Sequence, residues 1–430
     1  VLCVRGNRLA HGHSTRRFDR PWAGFAILKD FSSAALWAGL TAFVWYAFGA
    51  VPLHIGVSGQ LGLSVEQTSS WIFIVWFSGA VSSIALSVYF RQPIPITWTI
   101  PGLIYLGTLA GRFSFEELVG ANLIAGMALV VFGLLGVGGK LMRWLPVPIV
   151  MGMFGGSILG YVTRMIAATV DDLAVAGTAV ACYLVGRFIA SPRVPPVGLA
   201  VVGGGIMVAI LGTGSPQPLD WAWPALKVPG VQFSAAAIVA VSLPMVVLAM
   251  GLGNVQGLGF LLAQGYKVPV NMVSTVVGIN SVVNALLGGH AATVARTGVA
   301  ILGGPDAGPV AGRYWAAMIA ALLTVVMAFA ATPVASLLKV LPETYVFAIA
   351  GLAIVSSLQD ALEKAFAGKL RFGALVAFAV SMTPFAIFGI TSAFWAMVAG
   401  LMASLLVERS DLFAFWIADS PSKQTPRPDP

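Results

Sequence analysis

The chain has 430 residues, of which 58% are hydrophobic and only 9% charged, and its mean hydropathy is +0.91. Soluble domains carry about 25% charged residues, so this composition excludes a soluble globular protein and requires an integral membrane protein. The formal charge of +8 is scattered through short inter-helix segments with no aromatic-interleaved basic patch, which excludes a nucleic-acid interface.

Residues 1–30 are polar and basic, with Arg16, Arg17 and Arg20, and lack the compact apolar core of a signal peptide; they are expected to form a cytoplasmic tail. Cys3 in this tail and Cys182 in an apolar run have neither the spacing nor the setting of a metal site or disulfide, and no cofactor is expected. Apolar segments follow at 32–50, 68–90, 96–111, 117–137, 144–163, 173–190, 195–212, 233–253, 270–286, 291–303, 312–330, 340–359, 371–388 and 391–407. A continuous span needs roughly 20 apolar residues, so the third and tenth segments need an extended or re-entrant part to cross. The tail after Glu408, which ends in SPSKQTPRPDP, is expected to be disordered.

Positive charge orients the chain. With both termini cytoplasmic, the inner loops hold Arg91, Lys140, Arg143, Arg187, Arg193, Lys267, Arg313, Lys364, Lys369 and Arg371, and the outer loops only Arg112, Arg164, Lys227 and Lys339, as the positive-inside rule requires. The expectation is a multi-pass protein of the cell inner membrane.

The chain also repeats itself. FSSAALWAGL at 31–40 resembles FSAAAIVAVS at 233–242, each followed by a small-residue break, Phe48-Gly49-Ala50 and Met250-Gly251-Leu252. Trp144-Leu145-Pro146 and Val340-Leu341-Pro342 each open an apolar helix, and the two offsets, 202 and 196 residues, are nearly equal. Seven spans per repeat is an odd number, so the halves must be inverted. The fold class is an all-α polytopic membrane protein of 14 transmembrane segments in two inverted seven-segment repeats, with short extended breaks in segments 3 and 10. The repeats occupy 31–212 and 233–408, an extracytoplasmic linker 213–232, and a cytoplasmic tail 409–430.

The break in segment 3 is the most informative stretch. Phe90–Gly111 passes through Pro93 and Pro95 into the β-like run Ile96–Ile100 and then Pro101-Gly102, which no uninterrupted helix accommodates. Its counterpart is Leu287–Gly298, where Gly288 and Gly289 precede short β-compatible residues. If both breaks meet near the midplane, two helix N-termini direct unsatisfied N–H groups into one cavity, a chemistry suited to a carboxylate or other anion.

Trp98 offers a face for an aromatic substrate or an interfacial anchor, Thr99 and Thr293 offer hydroxyls in the breaks, and Gly102 permits close backbone approach. Asn254 and Gln256 either line the cavity or bridge a loosened helix; Asn280 and Asn284, four apart, are expected to tie neighbouring helices. His290 either bonds substrate, titrates during coupling, or links helices, and His54, in the mouth-like VPLHIGVSGQ segment, is an interfacial residue or part of a proton pathway. Arg296 must find an anion, cavity water or a headgroup, so substrate pairing and a structural or gating role are both open. Glu66, Glu116, Glu117, Asp171, Asp172, Glu343 and Asp360 fall near segment ends, with no carboxylate pair expected in the core. The proton is the expected coupling ion, while sodium on carbonyls and hydroxyls stays open.

Four stretches in order, RQPIPITWTIPG (91–102), LPMVVLAMGLGNVQGLG (243–259), GVAILGGPDAGPVAGRYWAA (298–317) and GITSAFWAMVAG (389–400), resemble the benzoate:proton symporter family, often called BenE, among transporters that share the uracil-transporter-like fold. The resemblance runs from Phe31 to about Glu408. It implies a core built on spans 1, 3, 8 and 10, a gate of spans 5–7 and 12–14, and uptake of benzoate or a related aromatic carboxylate with a proton. By motif it places Trp98, Thr99, Pro101 and Gly102 in span 3, Asn254 in span 8 and His290–Arg296 near span 10. The chain departs from the family pattern at Gly253, where a second amide is expected, at Arg296, in place of a small apolar residue, and at Pro305–Pro309, which lacks a histidine.

The partners expected are an aromatic carboxylate substrate, membrane lipid and, as one assembly the chain admits, a second copy in a homodimer. The alternative is a facilitator or channel for another small anion or nucleobase-like solute. No compact metal cluster, P-loop or nucleophile–base set stands out, so the reading is a transporter and not an enzyme.

Overall fold

The computed structural model describes residues 29–136, 146–190, 194–215, 217–387 and 390–418. The basic N-terminal tail with Cys3, the inner-loop Lys140, Arg143 and Arg193, the Trp144-Leu145 signal and the terminal SPSKQTPRPDP lie outside the described residues.

The first repeat runs α1 (Ser33–Gln60), α2 (Val65–Phe90), β1 (Ile96–Trp98), α3 (Ile100–Gly107), α4 (Phe115–Leu135), α5 (Val147–Asp171), α6 (Val175–Ile189) and α7 (Pro196–Leu211). The second runs α8 (Ala235–Ala263), α9 (Val270–Leu286), β2 (Ala292–Val294), α10 (Arg296–Gly303), α11 (Tyr314–Ala328), α12 (Ala331–Val340), α13 (Glu343–Phe366), α14 (Arg371–Met382) and α15 (Ser392–Val407). A short strand pair, β3 (Ala386–Ile387) and β4 (Ile390–Thr391), joins α14 to α15. The fold is all-α, polytopic and of the inverted-repeat type. Its outer faces carry bare apolar side chains such as Phe188, Val170 and Leu406, as a hydrocarbon surround demands.

Local chemistry starts and stops the helices. Ser32 caps α1 by accepting from the Ala35 N–H at 3.1 Å, and Ser64 with Gln67 and Ser114 with Glu117 form capping boxes at α2 and α4. Beyond α2, Arg91 turns left-handed at φ 50° and Pro93 and Pro95 extend the chain into β1.

Three sequence expectations need correction. Segment 1 does not break at Phe48-Gly49-Ala50: α1 continues to Gln60 with Pro52 inside it. A lone glycine costs a helix only about 1 kcal/mol, which burial of Ala50, Leu53, Ile55 and Val57 outweighs. Nor does segment 8 break at Met250-Gly251-Leu252. It widens into π turns at Ile238–Ser242 and Leu248–Val255 and then runs on to Ala263. Pro244 removes the N–H that would bond Ala240, and the Tyr105 hydroxyl takes that carbonyl at 2.5 Å. Finally, the tail after Glu408 is not disordered throughout, because Arg409–Ala418 forms a further helix, α16.

Two bodies emerge from the packing. Helices α4 and α9 lie together, as do α11 with α1 and α2, and these carry both strands. The other body is α5 against α13 and α14, α14 against α15, and α6 against α7. The crossover between the bodies holds the candidate site.

Candidate functional site

β1 and β2 pair antiparallel, with Ile96 opposite Val294, Thr97 opposite Thr293 and Trp98 opposite Ala292. Two further bonds, Thr99 N–H to the Ala291 carbonyl and Ala295 N–H to the Pro95 carbonyl, both 3.0 Å, extend the ladder at each end. Since the strands run oppositely, the eight-residue helices α3 and α10 that follow them point away from each other with their N-termini at the crossing.

A two-stranded sheet buried at this depth must satisfy its outer edges with protein groups. Ser83 of α2 accepts from the Ile96 N–H at 2.7 Å, and Ser281 of α9 accepts from the Ala292 N–H at 2.9 Å. Asn254 accepts from the Val294 N–H at 2.9 Å through Oδ1, which also lies 3.2 Å from the Thr293 hydroxyl. Thr293 in turn donates to the Ala249 carbonyl of the π turn at 3.0 Å. Ser78 and Ser82 bond Asn284 and Asn280, tying α2 to α9.

The two half-helices differ at their starts. Thr99 caps α3, its hydroxyl accepting from the Gly102 N–H at 3.2 Å. The equivalent residue before α10 is Ala295, which has no side-chain cap to offer. The first helical bond of α10 is from the Val299 N–H to the Ala295 carbonyl, so the N–H groups of Arg296, Thr297 and Gly298 precede the ladder. All three residues line a cavity of ≈ 220 Å³.

That cavity is walled by Tyr46 of α1, Trp98 and Thr99, Thr293, Met151 and Phe154 of α5, and Ser356, Ser357 and Asp360 of α13. Trp98 is held by a stacked Trp76 at 5.7 Å and by the edges of Tyr46 and His54 at 6.4 and 5.7 Å. Its indole N–H and the Tyr46 hydroxyl are buried with no hydrogen-bond partner among the described residues.

Of the residues singled out from sequence, Trp98, Thr99, Thr293 and Arg296 come together around this cavity. Gly102, Asn254, Gln256, His290 and His54 do not line it. Gly102 faces the Thr99 methyl and Met245, where a Cβ would collide, so the close approach there is to protein atoms. Asn254 holds the strand, and Gln256 Oε1 accepts from Arg296 at 3.1 Å and Lys364 at 3.3 Å. The departure at Gly253 has a steric reason: any Cβ there would run into Thr293.

The histidines sit behind Trp98. The expectation that His54 is interfacial is overturned: the continuation of α1 buries it completely, among Trp71, Trp76, Trp98 and His290. Its Nδ1–H donates to the Ala50 carbonyl at 2.9 Å, which leaves Nε2 with a lone pair. His290 Nδ1 accepts from the Trp71 indole at 2.9 Å, which puts the ring proton on Nε2. The rings are 5.8 Å apart and neither Nε2 has a partner among the described residues.

Asp360, expected at a span end, also lines the cavity and pairs with Arg296 at 2.7 Å. The available signal was its neighbour Lys364, four residues on. On the far side of the crossing a wider cavity of ≈ 960 Å³ is lined by Gln60, Arg112, Tyr161, Arg164 and Glu343.

Known proteins share both sequence and fold. The transmembrane domain of a cyanobacterial bicarbonate transporter, BicA, superposes with a TM-score of 0.54 at 18% identity, over 91% of this chain and 98% of that one. The benzoate membrane transport protein of Acinetobacter baylyi is 26% identical over 381 residues, 88% of this chain and 96% of its own length. The inner membrane protein YdcO of Escherichia coli is 25% identical over 399 residues, 90% and 96% of the respective lengths. The family profile described as benzoate membrane transport protein, BenE, matches residues 29–406. A match over nearly the whole membrane portion, carrying the paired breaks with it, makes this chain a member of the BenE family.

Proposed function

We propose that this protein is a secondary transporter that takes up benzoate or a related aromatic monocarboxylate across the inner membrane together with a proton. The observation that carries the reading is the uncapped start of α10, with Arg296 as its first residue, opening into an aromatic-walled cavity of ≈ 220 Å³. A helix N-terminus already favours an anion, and a guanidinium beside it adds bidentate recognition of a carboxylate. Trp98, Tyr46 and Phe154 supply ring-sized apolar walls. The volume lies below the roughly 300–1,000 Å³ of drug-sized pockets, as a single-ring acid requires.

In this reading the carboxylate sits at the N–H groups of Arg296–Gly298, and the ring packs against Trp98. Thr99 and Thr293 border the polar end, while Asn254 and Gly102 keep β2 and α3 in place. His290 and His54 carry the proton: one Nε2 bears hydrogen and the other a lone pair, and a single water between them would complete a relay. Alternating exposure follows from movement of the strand-bearing body against the α5–α7 and α13–α15 body. Two of the similar proteins are named for benzoate and for bicarbonate, both small carboxylate-type anions, which supports this reading.

The test is uptake into proteoliposomes of benzoate, substituted benzoates, urate, uracil, sulfate and bicarbonate, with and without an inward proton gradient. Accumulation of benzoate against its own gradient only when protons flow inward is the expected result. Robust movement of another solute without benzoate would overturn the substrate assignment.

A further inference from the structure

Arg296 does not stand alone in its cavity. Its Nη1 lies 2.7 Å from Asp360 Oδ2 and 3.1 Å from Gln256 Oε1. Asp360 also holds Lys364, one turn further along α13, whose Nζ lies 2.9 Å from Oδ1 and 3.3 Å from the same Gln256 oxygen. Arg296 and Gln256 belong to the strand-bearing body, and Asp360 and Lys364 to the other. The four residues therefore tie the two bodies together beside the proposed substrate carboxylate position. All three charged side chains remain partly accessible, at 42% for Arg296, 30% for Asp360 and 32% for Lys364, and Arg296 and Asp360 line the cavity.

A guanidinium keeps its proton and is costly to move through a membrane interior without an anion. In this structure that anion is Asp360. An incoming carboxylate at the start of α10 competes for the same guanidinium. If it wins, Asp360 is not stranded, because Lys364 already holds both of its oxygens, Oδ1 at 2.9 Å and Oδ2 at 3.0 Å. An exchange of partners thus leaves every charge paired, a condition that a buried pair broken by simple separation would fail.

We infer that Asp360 is the resident counter-ion of Arg296 in the empty carrier, that the substrate carboxylate displaces it onto Lys364, and that this exchange unties α10 from α13. The inference rests on the carboxylate reading for its substrate and deepens it by naming the internal competitor. It makes Asp360 and Lys364 positioning residues that set affinity and the return of the empty carrier. Removing the competitor tightens binding, yet leaves an unpaired guanidinium when the carrier returns empty. Net uptake then suffers while exchange of bound substrate across the membrane is spared, and a defect of folding alone would depress both.

The experiment uses the full chain with Cys3→Ser and Cys182→Ser. Benzoate binding is titrated, net uptake and benzoate–benzoate exchange are measured in proteoliposomes, and the separation of spin labels at Leu262→Cys on α8 and Glu363→Cys on α13 is recorded. Asp360→Asn is expected to bind benzoate about fivefold more tightly, the order of a half-exposed ion pair, and to lose net uptake while retaining exchange. Lys364→Met is expected to weaken binding, because Asp360 then has no second partner. In the substrate-free protein, Asp360→Asn broadens the label-distance distribution, as benzoate does in the parent. Unchanged or weaker binding by Asp360→Asn, equal loss of uptake and exchange, or an unaltered distance distribution would overturn the inference. If the parent neither binds nor moves benzoate, the substrate reading falls, and the substrate-free distance comparison still decides whether Asp360 ties the bodies.

Discussion

At the scale of single residues, the site divides into groups that touch the cavity and groups that hold those groups still. Trp98 belongs to the first kind, stacked against Trp76 and lining the cavity. Trp98→Ala removes aromatic area, a contribution of about 0.5–1.5 kcal/mol beyond simple burial. The KM for benzoate is expected to rise by roughly tenfold, whereas Trp98→Phe keeps most of the affinity; equal KM values for both variants would refute ring packing there. His290 belongs to the second kind, since Trp71 and Asn284 fix its ring and carbonyl. His290→Asn retains an acceptor for the Trp71 indole but cannot carry a proton. Benzoate exchange should survive in it while gradient-driven accumulation is lost, and accumulation that still follows the proton gradient would remove His290 from the pathway. Trp98 and Arg296 were legible in the sequence because they sit inside or beside a break. His54 and Asp360 were misplaced for one shared reason: their helices extend past the point where glycine or charge suggested an end.

At the scale of elements, the three-residue strands β1 and β2 persist among the helices of a membrane protein because neighbouring helices complete their hydrogen bonding. Ser83 and Ser281 occupy matching places on α2 and α9 and bond matching strand residues, Ile96 and Ala292. Each leaves a buried N–H unpaired when removed, at a cost of about 1–3 kcal/mol. Ser83→Ala and Ser281→Ala are therefore expected to lower the thermal unfolding midpoint by similar amounts in detergent, and Ser82→Ala, whose partner is the amide of Asn280, by less. Equal effects from all three would show that the strand edges are satisfied in another way. The prolines and β-branched residues at 93–101 announced the first strand plainly, and the duplication located the second. What anchors them was not legible, because a serine four residues from another small residue on an apolar helix carries no mark of the strand it will meet.

At the scale of the whole molecule, the inverted repeat leaves a cavity on each side of the crossing, and they differ in charge. The smaller one holds Arg296 with Asp360 already on it. The wider one carries Arg112, whose Nη1 donates to the Phe385 carbonyl at 2.8 Å, and Arg164, which lies 5.9 Å over the Phe347 ring. Among the described residues, no carboxylate lies within ion-pair distance of either guanidinium. With the termini cytoplasmic, as the positive-inside reading of the sequence expects, this wide face is the extracytoplasmic one, where an anion taken up would arrive. Two guanidiniums against the single carboxylate of Glu343 leave this concave mouth net positive and raise the local anion concentration, and the effect reaches about one Debye length, roughly 8–10 Å near physiological salt. The double variant Arg112→Gln, Arg164→Gln is therefore expected to raise the KM for uptake several-fold at low ionic strength with little change in kcat. The difference should shrink as salt is added, because screening erases long-range attraction but not a direct contact. A KM ratio that stays constant from low to high salt would mean that these arginines bind substrate directly, and a matched fall in kcat would mean that they act on the motion of the two bodies instead.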